Sequence, residues 1–149
     1  MELSPFSYFF FFGCFDLLLM ARTDIKEMWI DDRYNYFMMG IVGSLFALAG
    51  REITVVFLLI GIALFIRYAT AKTFAEGDRN ILQWSIVGIG ILGFSYLMIF
   101  FFFLCFYVTL QYCLKRAMWI EGKVAGVPAL FGAFFTTGVI YEFSWNVIP

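Results

Sequence analysis

The chain has 149 residues, of which 63% are hydrophobic, 22% aromatic and only 14% charged. A water-soluble chain of this length could not bury so much apolar surface, so the composition predicts an integral membrane protein. The formal net charge of −1, with both signs interspersed, argues against a nucleic-acid partner. The lack of His removes the commonest metal ligand and the most frequent base near neutral pH.

Apolar runs separated by charged connectors predict membrane-spanning helices. These runs cover residues 4–21, 35–50, 53–71, 81–114 and 124–146. No basic region precedes the first run, so we interpret it as a retained span rather than a secretory signal. The cysteines form no CxxC pair, and we expect them to be small core residues. They are Cys14, Cys105 and Cys113.

The run 81–114 is too long for one crossing of a ~30 Å hydrocarbon core and short for two. Its glycines at 90 and 93 are able to host a tight turn between two short helices. With a break between Gly93 and Tyr96, nine of the ten Lys and Arg residues fall on one side of the membrane and only Arg51 on the other. This is the asymmetry that the positive-inside rule predicts. We therefore predict an all-α integral membrane protein with about six transmembrane helices rather than five, and with both termini outside.

Two aspartates lie where apolar runs meet connectors on the basic side. Asp24 follows the first run, and Asp78 precedes the run that starts at 81. Two crossings separate their connectors, so both aspartates are on the same face with five spans or with six. Partial burial and a nearby like charge would keep one carboxyl protonated and the other ionised. Such a pair is able to activate water and polarise a carbonyl, as in aspartic proteases.

The segment DIKEMWIDD at 24–32 resembles the first catalytic element of the prepilin and preflagellin peptidase family. That element is an Asp, a short basic stretch and Ile-Pro-Asn or a variant ending in Asp. Asp24 takes the catalytic position, with Ile30 and Asp32 in register. Asp31 stands where the family has Pro, and it is a competitor of Asp24 for the partnership with Asp78.

AEGD at 75–78 resembles the GxGD motif of the same family. In this alignment Asp78 is the second catalytic Asp, Gly77 is its neighbour and Glu76 fills the variable place. Ala75 replaces the first Gly, a small change unless the backbone there requires a positive φ.

A third segment, KVAGVPALFGAFF at 123–135, is similar to the closing element of the family. Val127, Pro128, Leu130 and Gly132 are in register. The three elements occur in the family's order and cover essentially the whole chain. The resemblance therefore implies a single transmembrane peptidase domain, residues 1–149.

The resemblance implies a GxGD-type aspartic intramembrane protease that removes the class III leader from type IV pilin-like or archaellin precursors. Its expected location is the plasma membrane of an archaeon or bacterium, multi-pass, with cytoplasmic catalytic loops. No stretch resembles the zinc-binding methyltransferase insert of larger members, so we expect no metal and no cofactor. Four acids near the pair could attract the basic leader, although loop solubility explains them equally well. They are Glu27, Asp31, Asp32 and Glu76.

A catalytically inactive relative that acts as a membrane assembly factor is the alternative function. A transporter or channel is disfavoured, because Asp16 is the main polar exception within the apolar runs. We expect Asp16 to be a hydrogen-bonding interior residue or a partner of Arg67, which otherwise extends to the membrane surface. Glu142 is expected to reach water among interfacial aromatic residues.

Overall fold

The chain folds entirely into helices over the part that the computed structural model describes, which is residues 3–27, 32–72, 74–118 and 126–147. This confirms the all-α prediction for those residues. The helices are α1 (Ser7–Glu27), α2 (Asp32–Ala49), α3 (Ile53–Ala69), α4 (Glu76–Leu92), α5 (Phe94–Ala117) and α6 (Val127–Val147).

The predicted division of the long apolar run 81–114 is confirmed. α4 ends at Leu92 and α5 begins at Phe94, so Gly93 alone separates them. The Gly93 N–H donates to the Ile89 carbonyl at 3.1 Å, which closes the last turn of α4. The described residues therefore form six helices rather than five.

α4 lies at the centre of the fold. It packs against α2, α3, α5 and α6, and α1 reaches it through Phe9, whose ring occupies the space that a Cβ on Gly88 would need. Trp84 of α4 is 2% exposed, packs against the ring of Phe134 and donates its indole N–H to Asn35 Oδ1 at 3.1 Å. Because neighbours cover every face of α4, the packing of the whole core sets its position.

The outer surface of the bundle is apolar. Large apolar side chains are exposed on every helix except α4, for example Phe11 on α1, Phe57 on α3 and Phe102 on α5. Soluble monomers seldom expose such continuous apolar surface. By length and composition α5 and α6 are able to cross a membrane, and α3 is apolar but shorter. Cys105 and Cys113 are exposed on α5, so the prediction that they are core residues is wrong.

Glu142 does not simply extend to water, contrary to the sequence-based expectation. Its carboxylate accepts hydrogen bonds from the Ser4 N–H at 3.1 Å, the Ser4 hydroxyl at 2.9 Å and the Ser7 hydroxyl at 2.6 Å. These donors stand at the start of α1, where backbone N–H groups have no partner within the helix. Glu142 therefore joins the C-terminal half of α6 to the beginning of α1.

Arg51, in the connector between α2 and α3, binds the end of α4. Its Nε donates to the Ile91 carbonyl at 2.8 Å, and Nη2 donates to the Leu92 carbonyl at 3.0 Å. The last carbonyls of a helix lack partners and carry a partial negative charge, which a guanidinium complements.

Replacing Arg51 by Met should lower the free energy of unfolding by about 2 kcal/mol, since two charge-assisted hydrogen bonds to backbone carbonyls are lost. Thermal or denaturant unfolding in detergent micelles measures this. Arg116→Met, at an exposed position in the last turn of α5, is the matched control and should change stability much less. Equal losses in the two variants would show that the Arg51 hydrogen bonds do not contribute.

Candidate active site

The two aspartates singled out by the sequence are both buried at helix ends. Asp24 is 5% exposed in the last turns of α1, and Asp78 is 7% exposed in the first turn of α4. The sequence placed them in connectors beside the helices, and this placement is wrong because the helices extend further than the apolar runs. A charge is costly to bury, so two buried carboxyls at one end of the bundle require a specific environment.

The beginning of α6 supplies that environment for Asp24. The backbone N–H of Val127 donates to Asp24 Oδ2 at 3.1 Å. This N–H belongs to the first residue of α6, where it has no partner within the helix. Pro128 comes next, and Pro is tolerated in a first helical turn because its missing N–H would be unpaired there in any case. The N-terminal end of α6 thus favours the ionised form of Asp24.

Asp78 lies against the residue that precedes α6. A Cβ built on Gly126 would be 2.6 Å from Asp78 Cγ and 2.9 Å from Asp78 Oδ1. Only a residue without a side chain allows this approach. The dipeptide Gly126-Val127 therefore contacts both aspartates, and it brings the ends of α1, α4 and α6 together.

The two carboxyls differ in their electrostatic environment. Burial raises the pKa of Asp78 to about 6, with a further contribution from the charge of Asp24, while the Ala75 N–H lowers it. Burial also raises the pKa of Asp24, but the N–H groups of Val127 and Gly126 oppose that rise. Among the described residues, Asp78 Oδ1 has no hydrogen-bond partner. Of the two carboxyls, Asp24 is the one whose ionised form accepts hydrogen bonds from the start of α6, and Asp78 is the one that holds a proton below a pH of about 6.

The backbone directly before α4 does not require a glycine at Ala75. Ala75 immediately precedes α4 with φ −63° and ψ 160°, a conformation that any L-residue adopts. The replacement of Gly by Ala at this place therefore causes no backbone strain. Gly77 lies within the first turn of α4, so its role is not to open a loop.

The remaining predicted site residues fall into two groups. Glu76 is exposed and lies 3.5 Å from Arg67, and Asp32 is exposed at the start of α2. Ile30, Asp31 and the side chain of Glu27 lie outside what the structure describes. The described residues therefore do not decide between Asp31 and Asp24; they show that Asp24 is buried and accepts a hydrogen bond from the start of α6.

Asp16 is a second buried acid on α1, 3% exposed. Its Oδ2 has no hydrogen-bond partner among the described residues. It lies eight residues before Asp24, about 12 Å along the helix axis at ~1.5 Å per residue. The suggested partner Arg67 bonds to side chains of α4 instead.

Sequence reasoning did not identify Gly126 as a site residue. The only signal was its position directly before the Val-Pro pair that starts α6, and a glycine before a helix has many ordinary explanations. Its contact with Asp78 becomes visible only when α4 and α6 are placed beside each other.

An apolar groove lies between α1 and α6, and none of the residues that line it is Asp24, Asp78, Gly126 or Val127. It has a volume of about 950 Å³, and it is lined by residues between Leu3 and Leu18, which precede and form the first part of α1, and by α6 from Phe131 to Asn146. The same two helices are joined beyond the groove by the hydrogen bond between Asp24 and Val127.

Comparisons of the sequence with protein-family models and curated proteins, and of the fold with solved structures, gave no match. The interpretation of the site depends on its own residues and geometry.

Proposed function

We propose that this protein is an aspartic endopeptidase embedded in a membrane. Within that class, we propose a prepilin or preflagellin type peptidase, which removes a short basic leader from type IV pilin-like or archaellin precursors. The observation that carries the proposal is the pair of buried carboxyls, Asp24 and Asp78, which both contact Gly126-Val127.

The pair provides the groups that peptide hydrolysis needs. Ionised Asp24 takes a proton from water as the water oxygen bonds to the peptide carbon, and protonated Asp78 donates a hydrogen bond to the carbonyl oxygen. The carbon–nitrogen bond then breaks, and the leaving amine receives a proton from the pair. No group outside the chain and the water is required for this sequence of steps.

The surface of the protein supports a membrane substrate. Five of the six described helices expose large apolar side chains, and α5 and α6 are long enough to cross a bilayer. In this proposal the groove between α1 and α6, whose lining ends at Leu18 and Phe131, seats the apolar segment of the precursor. The exposed carboxylates Asp32 and Glu76 stand on helices that begin at the same end and would attract a basic leader. In this proposal the chain is a multi-pass plasma-membrane protein of a prokaryote, with its catalytic end facing the cytoplasm.

A direct test uses the purified protein in lipid with a precursor that carries a basic leader followed by an apolar helix. Mass spectrometry should find one cut between these two parts. The matched substrate control has the leader's Lys and Arg replaced by Gln, and it should be cut more slowly. A protein that is folded but cleaves no precursor from a panel covering pilin-like and archaellin leaders would favour the non-catalytic assembly factor.

The cleavage rate should fall as the pH rises through about 6, because the buried carboxyl of Asp78 has its pKa raised to about that value. Below this pH Asp78 keeps the proton that polarises the substrate carbonyl. Above it both carboxyls are ionised, and that proton is lost. The pH dependence of kcat/KM measures this, and a rate that increases through the same range would assign the proton-donating role elsewhere.

A further inference from the structure

Arg67 binds the side of α4 opposite to Asp78. Its Nη1 donates to Asn80 Oδ1 and, at 2.7 Å, to Gln83 Oε1, while Nη2 lies 3.5 Å from Glu76 Oε1. Arg67 is in the last turn of α3, where a cation also complements the helix dipole. One guanidinium thus connects α3 to the first two turns of α4.

The helical positions of its partners explain why this connection matters for the site. Successive residues of an α-helix are rotated by ~100°. Relative to Asp78, the partners Glu76, Asn80 and Gln83 point roughly 140–160° away. Arg67 therefore binds one face of α4, while Asp78 contacts Gly126 from the opposite face.

We propose that Arg67 is a positioning residue for the peptidase activity, setting the rotation and depth of the first turns of α4 so that the Asp78 carboxyl faces Asp24. This inference rests on the proposed function for its kinetic consequence but not for its structural one. Arg67 acts through geometry, because burial, the charge of Asp24 and the Ala75 N–H are what determine the ionisation of Asp78. A guanidinium suits the task, since its planar fork binds two acceptors in fixed directions.

The kinetic test compares Arg67→Met, Arg67→Lys and the control Lys72→Met, which removes the same charge from an exposed position at the same end of α3. We expect Arg67→Met to lower kcat about tenfold or more with KM within about twofold, since small misplacements of catalytic groups are costly. Arg67→Lys should recover part of the loss. The falling limb of the pH profile should also shift in Arg67→Met, because coupling between the aspartates depends on their separation.

A second measurement tests the positioning without using activity. In a background without the native cysteines, Asp24→Cys and Asp78→Cys are combined and cross-linked with a short bis-thiol reagent. Cross-linking should be slower when Arg67→Met is added and unchanged when Lys72→Met is added. Equal cross-linking rates in the two backgrounds would overturn the role of Arg67. Failure of the wild-type protein to cleave any precursor would overturn the proposed function, while the cross-linking result would still decide the structural inference.

Discussion

Asp78→Asn should abolish precursor cleavage, with a loss of at least about 1,000-fold in kcat, the scale expected when a general acid or base is removed. The amide is nearly the same size as the buried carboxyl but has no acidic proton to polarise the substrate carbonyl. Asp24→Asn should cause a loss of the same order, because the amide cannot take a proton from the attacking water. Single-turnover cleavage in lipid, with circular dichroism as the test of folding, measures both effects.

Glu76→Gln is the matched control for this prediction. Glu76 is in the same turn of α4 as Asp78, but its side chain is 75% exposed, so its amide variant should keep its kcat and show only a raised KM, because one carboxylate that attracts the basic leader is lost. Asp32→Asn addresses the other acid of the first motif in the same way. Activity that survives Asp24→Asn but is lost in an Asp31 or Asp32 variant would transfer the first catalytic role to that residue.

Gly126→Ala should lower kcat about 100-fold, since displacement of a catalytic group by ~1 Å has effects of that size. The new methyl group would stand 2.6 Å from Asp78 Cγ, well inside van der Waals contact, so either the carboxyl or the start of α6 must move. Movement of α6 would also disturb the hydrogen bond from Val127 to Asp24. Cleavage assays and unfolding measurements on the same preparation separate a displaced site from an unstable protein.

Gly43→Ala provides the comparison for this variant. A Cβ on Gly43, within α2, would have no neighbouring atom within 4 Å, and Ala is preferred to Gly inside helices. This variant should be fully active and at least as stable as the wild type. If Gly126→Ala is equally active, the close approach of Gly126 to Asp78 is not required for catalysis.

The sequence predicted the number and order of the helices well. The apolar runs indicated where the helices lie, and the asymmetric distribution of Lys and Arg indicated that the run 81–114 contains two of them. Gly93 illustrates this, since the break that it marks was identified from charge rather than from local propensity. The ends of the helices were less predictable. Asp24 and Asp78 were assigned to connectors, because a buried carboxyl at a helix end looks in sequence like a solvated one.

The partners of the charged residues could not be predicted, because they come from helices distant in sequence. Glu142 accepts hydrogen bonds from Ser4 and Ser7, which lie at the other end of the sequence. Arg51 donates to backbone carbonyls, and every residue has such a carbonyl, so the sequence does not mark these partners. The two aspartates were singled out from their positions together with the resemblance to a family's motifs, and the structure shows that both are buried. The contact between Gly126 and Asp78 became visible only in the three-dimensional structure.

Arg51 and Arg67 tie the two ends of α3 to the two ends of α4. α3 has 17 residues, which gives it a length of about 25 Å at ~1.5 Å per residue. A typical hydrocarbon core is ~30 Å thick. In the proposed membrane location, a helix pair anchored at both ends cannot relieve this mismatch by sliding, and local thinning of the bilayer is one way to accommodate it. A bilayer thinned on this side would bring the water boundary, and with it the leader junction of a membrane-held precursor, closer to Asp78.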